Sequence, residues 1–158
     1  MKKPRVGPRL HSLEVPLDGL TLIVPSAAVA EVINPLTLAP VPFSQPWLKG
    51  VMGWRTLAVP VISFEALVGM PEPASTAAGK IVIFYPLNGR SDWEFYGMFA
   101  TAEPRPQALN HSEPVATGSE LPDIPCIAAG LKVGGKLMLI PDMEAMKKAF
   151  YPRKISNF

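Results

Sequence analysis

The stretch Pro46-Trp47-Leu48-Lys49-Gly50-Val51-Met52-Gly53-Trp54-Arg55-Thr56-Leu57-Ala58-Val59-Pro60-Val61-Ile62-Ser63-Phe64 carries the densest structural signal in the chain. Its second half, Leu57–Phe64, is apolar at nearly every position, as a strand buried on both faces would be. Pro60 in the middle cannot donate a ladder hydrogen bond, which predicts an edge or a bulge there. Ser63 then caps a short helical turn through Leu67, closed by Gly69. The first half sets Trp47 and Trp54 around Lys49, Gly50 and Arg55. Aromatic residues and arginine are over-represented at binding hot spots, and a guanidinium can pair a partner carboxylate in a bidentate way. The same spacing suits two core tryptophans beside a solvated turn equally well, and spacing alone does not choose.

Working outward, hairpin signals dominate. Leu13–Leu17 alternates apolar with other residues, Asp18-Gly19 is a turn dipeptide, and Leu20–Val24 resumes. Lys80–Tyr85 and Trp93–Ala100 flank Asn88-Gly89, a second hairpin with a longer loop. Ile127–Leu131 and Leu137–Ile140 flank the turn Lys132–Lys136, a third. Asp142 is an N-cap for a helix over Met143–Phe150, where Met143, Met146 and Phe150 recur at helical spacing and Pro152 ends the run. Ser44 starts one further turn through Leu48. Residues 1–11, with Lys2, Lys3, Arg5 and Arg9 among Pro4, Gly7 and Pro8, predict a flexible basic arm. Met70–Gly79 is a proline-bearing joint, and Glu103–Pro125 an irregular, proline-rich excursion. The pattern is all-β with one or two short helices, either barrels or a sandwich, and each half has room for about five strands. No internal repeat stands out.

Composition narrows the function. The chain has 158 residues, 48% hydrophobic and 18% charged, with 19 Pro and one Cys. About 25% charged is usual, so the surplus apolar surface argues for a packed domain. A net charge of +2 is too slight for a nucleic-acid surface outside the basic arm. Cys126 alone excludes an internal disulfide or a cysteine zinc cluster and suits a reduced, cytoplasmic setting. No apolar run approaches the ~20 residues of a membrane helix. The basic start followed by Leu20–Val24 and Ala28-Val29-Ala30 mimics a cleaved leader. Glu14, Asp18 and Pro25 interrupt it, so a buried strand is expected instead.

Catalytic templates are missing: no Gly-x-Ser-x-Gly elbow, no phosphate loop, no His-Glu-x-x-His. His11 and His111 lack a sequence-local nucleophile or orienting carboxylate. Cys126, between Pro125 and Ile127, reads as a small buried hydrophobe. Glu65 and Glu72 are separated by turn residues, with no usable geometry expected. A binding module is favoured over an enzyme. A small-barrel nucleic-acid binder using the basic arm is the alternative, and an enzyme built around His111 a more distant one.

Two stretches resemble the CheW-like family, the coupling proteins of bacterial chemosensory systems. Leu22-Ile23-Val24-Pro25-Ser26-Ala27-Ala28-Val29-Ala30-Glu31-Val32-Ile33 is similar to the family's strand, short turn and "V-x-E-V/I" segment. Val41-Pro42 through Pro46–Phe64 resembles "P-x-x-I-x-G-V-x-N-L-R-G-x-x-V-P-V-V-D-L". The likeness runs from about Leu13 to Phe150, ending on Gly130-Leu131, Leu139–Asp142 and a helix. It implies two small five-stranded β-barrels packed side by side: a CheW-like domain over 12–150, with a first barrel over 12–69, a joint at 70–79, a second barrel over 80–141, a helix over 142–150 and a tail at 151–158. It also implies a cytoplasmic adaptor without catalysis, cofactor, metal, nucleic acid or membrane insertion. Such an adaptor would join methyl-accepting chemoreceptor tips to the regulatory domain of a CheA-type histidine kinase. By motif position Val29, Glu31, Lys49, Gly50 and Arg55 match the contact positions, with Trp54 beside them. Gly53 stands where the family usually has Asn, Thr56 where it has Gly and Ser63 where it has Asp, so the turn before Val59-Pro60-Val61 is expected to differ in shape. With Ala27–Ile33 and Ser63-Phe64-Glu65-Ala66-Leu67, these departures look most like the ChpC type of type IV pilus (twitching) systems.

Overall fold

The structure is a computed structural model, and it describes residues 10–73, 78–86, 95–110 and 112–150. Among the described residues ten strands, β1 (Leu10–Pro16), β2 (Thr21–Pro25), β3 (Val29–Ile33), β4 (Leu48–Trp54), β5 (Leu57–Ile62), β6 (Lys80–Phe84), β7 (Tyr96–Ala100), β8 (Arg105–Leu109), β9 (Ile127–Val133) and β10 (Lys136–Pro141), are accompanied by two α-helices, α1 (Phe64–Leu67) and α2 (Met143–Phe150). The strands form two five-stranded sheets, β8-β1-β2-β10-β9 (sheet A) and β3-β6-β7-β5-β4 (sheet B). The all-β expectation of paired five-stranded units therefore holds.

The division of the chain between those units differs from the expected one. Residues 12–69 and 80–141 do not each build a sheet. β1 and β2 join β8, β9 and β10, while β3, β4 and β5 join β6 and β7. The cause lies at Pro25, which ends β2 and leads into the tight 3-10 turn Ser26–Ala28, from which the chain enters sheet B as β3. The open side of β2 is then filled by β10, in parallel at Leu22 and Leu139. A parallel partner can be remote in sequence because it needs a long crossover.

The two sheets share one ladder plan. Each runs antiparallel, antiparallel, parallel, antiparallel along its order, the parallel pairs being β2–β10 and β5–β7. β9–β10 in sheet A corresponds to β4–β5 in sheet B, and each hairpin is followed by a capped helix. Ser63 Oγ accepts from Ala66 N–H at 3.2 Å, and Asp142 Oδ1 from Ala145 N–H at 3.1 Å. The cap stands seven residues after the second turn residue in both, Thr56 to Ser63 and Gly135 to Asp142, and Phe64-Glu65-Ala66-Leu67 parallels Met143-Glu144-Ala145-Met146. An internal repeat, not expected from the sequence, is thus present in the turn-to-cap spacing.

Strand periodicity explains the core. Alternate residues of one strand enter different clusters. In β6, Ile81 and Ile83 fill sheet B with Met52, Trp54, Val59 and Val61, while Val82 and Phe84 face the layer shared by both sheets. In β2, Ile23 joins Leu109 and Met138 in sheet A, while Leu22 and Val24 face the shared layer. Met146 of α2 is buried in that layer, and Phe150 packs on Trp47 at 5.4 Å between ring centroids.

Several expectations are corrected locally. Leu10 and His11 belong to β1, opposite Leu109 and Ala108, and not to a basic arm; residues 1–9 lie outside the described residues. The excursion at 103–125 contains β8, where Arg105 and Pro106 stand on an edge strand that tolerates proline. β5 is not an edge, and Pro60 sits at no bulge. Val51, its ladder neighbour, exchanges both backbone bonds with Ala39, and the β7 ladder begins only at Val61, so no bond is lost to Pro60. Leu57 and Ala58 are exposed rather than buried on both faces. The turn at Asn88-Gly89, Trp93, His111 and the tail at 151–158 lie outside the described residues. Cys126 is buried, and burial pushes its thiol pKa up.

Candidate functional site

β3 and β4 are the two ends of sheet B, yet their side chains meet. Trp54 Nε1–H donates to Glu31 Oε2, so the curled sheet is laced across its open seam. Arg55, the next residue, lays its guanidinium carbon 4.6 Å from the Trp54 ring centroid and brings Nη2 to 3.8 Å from the same Glu31 oxygen. A cation over an indole contributes about 0.5–1 kcal/mol when exposed, and an exposed ion pair about 0–1 kcal/mol. These contacts orient Arg55 more than they stabilise the fold, and 65% of its side chain stays exposed.

The local backbone is strained. Trp54 pairs with Leu57, leaving Arg55 and Thr56 as a two-residue hairpin loop, both at positive φ (45° and 65°). Two-residue hairpins require this left-handed conformation because it matches strand twist, and they favour Asn and Gly for that reason. Arg and β-branched Thr occupy it at a cost of about 1–2 kcal/mol each. Such strain clusters at functional sites. Behind the turn, Trp54 packs on Phe95 at 4.9 Å and Phe95 on Tyr85 at 5.5 Å, giving the charged pair an aromatic base.

The six residues picked from sequence therefore do not form one patch. Glu31, Trp54 and Arg55 converge, and Val29 lies next to them on β3, opposite Phe84. Trp54 is only 8% exposed and belongs to the sheet B core. It positions its neighbours instead of presenting a face. Lys49 and Gly50 lie toward the other end of β4, about 13–17 Å from Trp54 along the strand. A register shift between Leu48 and Gly50 marks Lys49, whose Nζ pairs with Glu72 at 2.8 Å. Gly50 is buried at φ 152°, and a Cβ there would meet Leu38 Cβ and Ala39 O at 2.7 Å. The backbone that approaches Gly50 is the chain's own. Phe95 and Tyr85 were not picked from sequence; their signal was the aromatic content at the facing ends of β6 and β7.

Among the described residues no group of His, Cys, Asp and Glu is arranged to hold a metal ion, and no helix is long and apolar enough to cross a membrane. What the fold presents is a charged, aromatic-backed turn on an all-β frame.

A family model described as the CheW-like domain matches residues 11–149, and the chain belongs to that family. Its members are non-enzymatic adaptors, which places the chain among the coupling and scaffold proteins of chemotaxis. Comparison with curated proteins finds no match. Among solved structures the chain is similar to the scaffolding protein TtCheW from Thermoanaerobacter tengcongensis, at 14% identity and a TM-score of 0.72, over 89% of each chain. At that identity the likeness speaks for the fold.

Proposed function

We propose that this chain joins the cytoplasmic tip of a methyl-accepting chemoreceptor to the regulatory domain of a CheA-type histidine kinase, through the end of sheet B that carries Val29, Glu31 and Arg55. It works in the cytoplasm without entering a membrane. The observation that carries this reading is the Arg55-Thr56 turn, strained at both residues and braced by Trp54 and Glu31 so that the guanidinium faces solvent. A cation held this way suits bidentate pairing with a partner carboxylate. Glu31 beside it supplies the opposite charge that sets register. Lys49 is a secondary contact that must exchange Glu72 for a partner, and Gly50 supports the shape of β4 from within. The resemblance in Ala27–Ile33 and Ser63–Leu67 further supports a ChpC-type member serving type IV pili.

Calorimetric titration against the kinase regulatory domain and a receptor-tip fragment tests this. Arg55→Glu is expected to weaken at least one of the two by about tenfold or more, with an unchanged circular dichroism spectrum. Unchanged binding to both would move the interface elsewhere.

A further inference from the structure

Glu65 is the one carboxylate among the described residues placed in the core, 1% exposed at the start of α1. Its Oε2 accepts the Asp18 backbone N–H at 3.3 Å, while Oε1 has no hydrogen-bond partner. Glu65 lines a cavity of about 130 Å³ with Lys49, Ser63, Glu72, Pro73 and Phe99. Lys49 and Glu72, about one-third exposed and ion-paired at 2.8 Å, form the solvent-reaching rim, and Glu65 the buried floor. Two carboxylates against one ammonium leave a negative charge uncompensated. A buried carboxylate oxygen without a donor is costly, and desolvation accordingly raises the Glu65 pKa.

The oxygens present are Glu65, Glu72 and Ser63, three side chains beside an ammonium. A calcium ion takes six to eight oxygens and a magnesium ion near-ideal octahedral geometry, so a bare divalent ion suits the cavity poorly. An ammonium group has three donors, and Glu65 Oε1 is the acceptor without a partner, while Ser63 Oγ already accepts from Ala66 N–H and Glu72 is paired with Lys49. Pro73 and Phe99 add apolar wall for a methylene stem. The volume equals that of about four waters, enough for an alkylammonium head. We propose that this cavity is a binding site for an alkylammonium group, with Glu65 as its buried counter-ion and the Lys49–Glu72 pair as its rim. The group belongs either to a lysine of a partner protein or to a free amine. The site stands on the cavity alone and not on the surface around Arg55.

The test titrates the full chain with n-butylammonium chloride at pH 8, following the backbone amide resonances of Asp18 and Glu65. Tetramethylammonium, which has no N–H donor, and sodium chloride at equal ionic strength are run beside it. Saturable shifts with butylammonium only, weakened about tenfold or more in both Glu65→Gln and Glu72→Gln, are expected. No saturable shift overturns the proposal. So does an equal response to tetramethylammonium, or equal affinity in Glu65→Gln and Glu72→Gln that retain the wild-type circular dichroism. With the site present, butylammonium that competes with the kinase regulatory domain or with the receptor-tip fragment assigns the group to a partner lysine, and butylammonium that competes with neither assigns it to a free amine. Loss of binding in Arg55→Glu reports on the other end of β4 and is independent of these outcomes.

Discussion

Two hairpin turns occupy equivalent places in the two sheets and adopt the same left-handed conformation with opposite chemistry. In sheet A the β9–β10 turn is Gly134-Gly135, at φ 57° and 80°; in sheet B the β4–β5 turn is Arg55-Thr56, at φ 45° and 65°. Glycine enters this region without steric penalty, whereas Arg and Thr do not. Sheet A thus solves its turn for stability alone. Sheet B keeps side chains where the backbone would favour their removal, and there Arg55 stands over Trp54 beside Glu31. The strained member of the pair is the one expected to do something.

Both sheets contribute to one core layer, and breaking it has the largest expected effect. Phe84 is 1% exposed and stacks on Tyr96 at 5.1 Å. Phe84→Ala should cost about 3–5 kcal/mol and lower a single urea transition; two separated transitions would show that the sheets are independent.

Next comes how tightly each sheet is filled. A Cβ on Gly97 in sheet B would meet Ile81 Cγ2 at 3.0 Å and Val61 Cγ2 at 3.2 Å, both from fully buried residues. On Gly130 in sheet A it would meet Leu121 Cδ2 at 2.5 Å, the tip of a partly exposed, flexible side chain, with Ala116 Cβ and Leu137 Cδ1 at 3.2 Å. Gly97→Ala should destabilise by about 1–3 kcal/mol and Gly130→Ala by less, as read from denaturation midpoints. The reverse order would mean that sheet A is the more rigid.

The turns themselves should respond with opposite signs. Thr56→Gly should stabilise by about 1 kcal/mol and Gly135→Ala destabilise by a similar amount, measured by thermal melting. A smaller effect comes from the two helix starts, where Glu65 is buried and its counterpart Glu144 exposed. A raised folded-state pKa means that the native chain binds this proton more tightly than the unfolded chain. Stability is therefore lost as pH rises from the ordinary glutamate value through the raised one. Glu65→Gln removes this loss, so it should raise the urea midpoint more at pH 8 than at pH 4.

Much of this architecture was legible in the sequence. The hairpins at Asp18-Gly19 and Lys132–Lys136, and the caps at Ser63 and Asp142, carry local signals that packing did not override. The strands β3, β4 and β8 were harder to see. β3 has no fully buried residue, β4 is interrupted by Gly50 and Gly53, and β8 contains Pro106 with only Leu109 buried. All three are end strands, half-supported and so weakly patterned. The exchange of strands between halves was invisible because parallel pairing leaves no turn to mark it. At the candidate site, charge and aromatic content marked Arg55, and the resemblance to the CheW-like family marked Glu31. Their convergence depends on the curl that brings the ends of sheet B together, which no spacing records. Glu65 and Glu72 likewise share a cavity only because α1 folds back toward β4.

The most direct test converts one turn into the other. The double variant Arg55→Gly with Thr56→Gly gives sheet B the turn chemistry of sheet A, and its stability and its affinity for the kinase regulatory domain and the receptor tip are measured together. The predicted result is a higher melting temperature with binding to at least one of the two weakened about tenfold or more. A more stable protein that binds both as wild type does would contradict the claim that the strained turn is kept for contact.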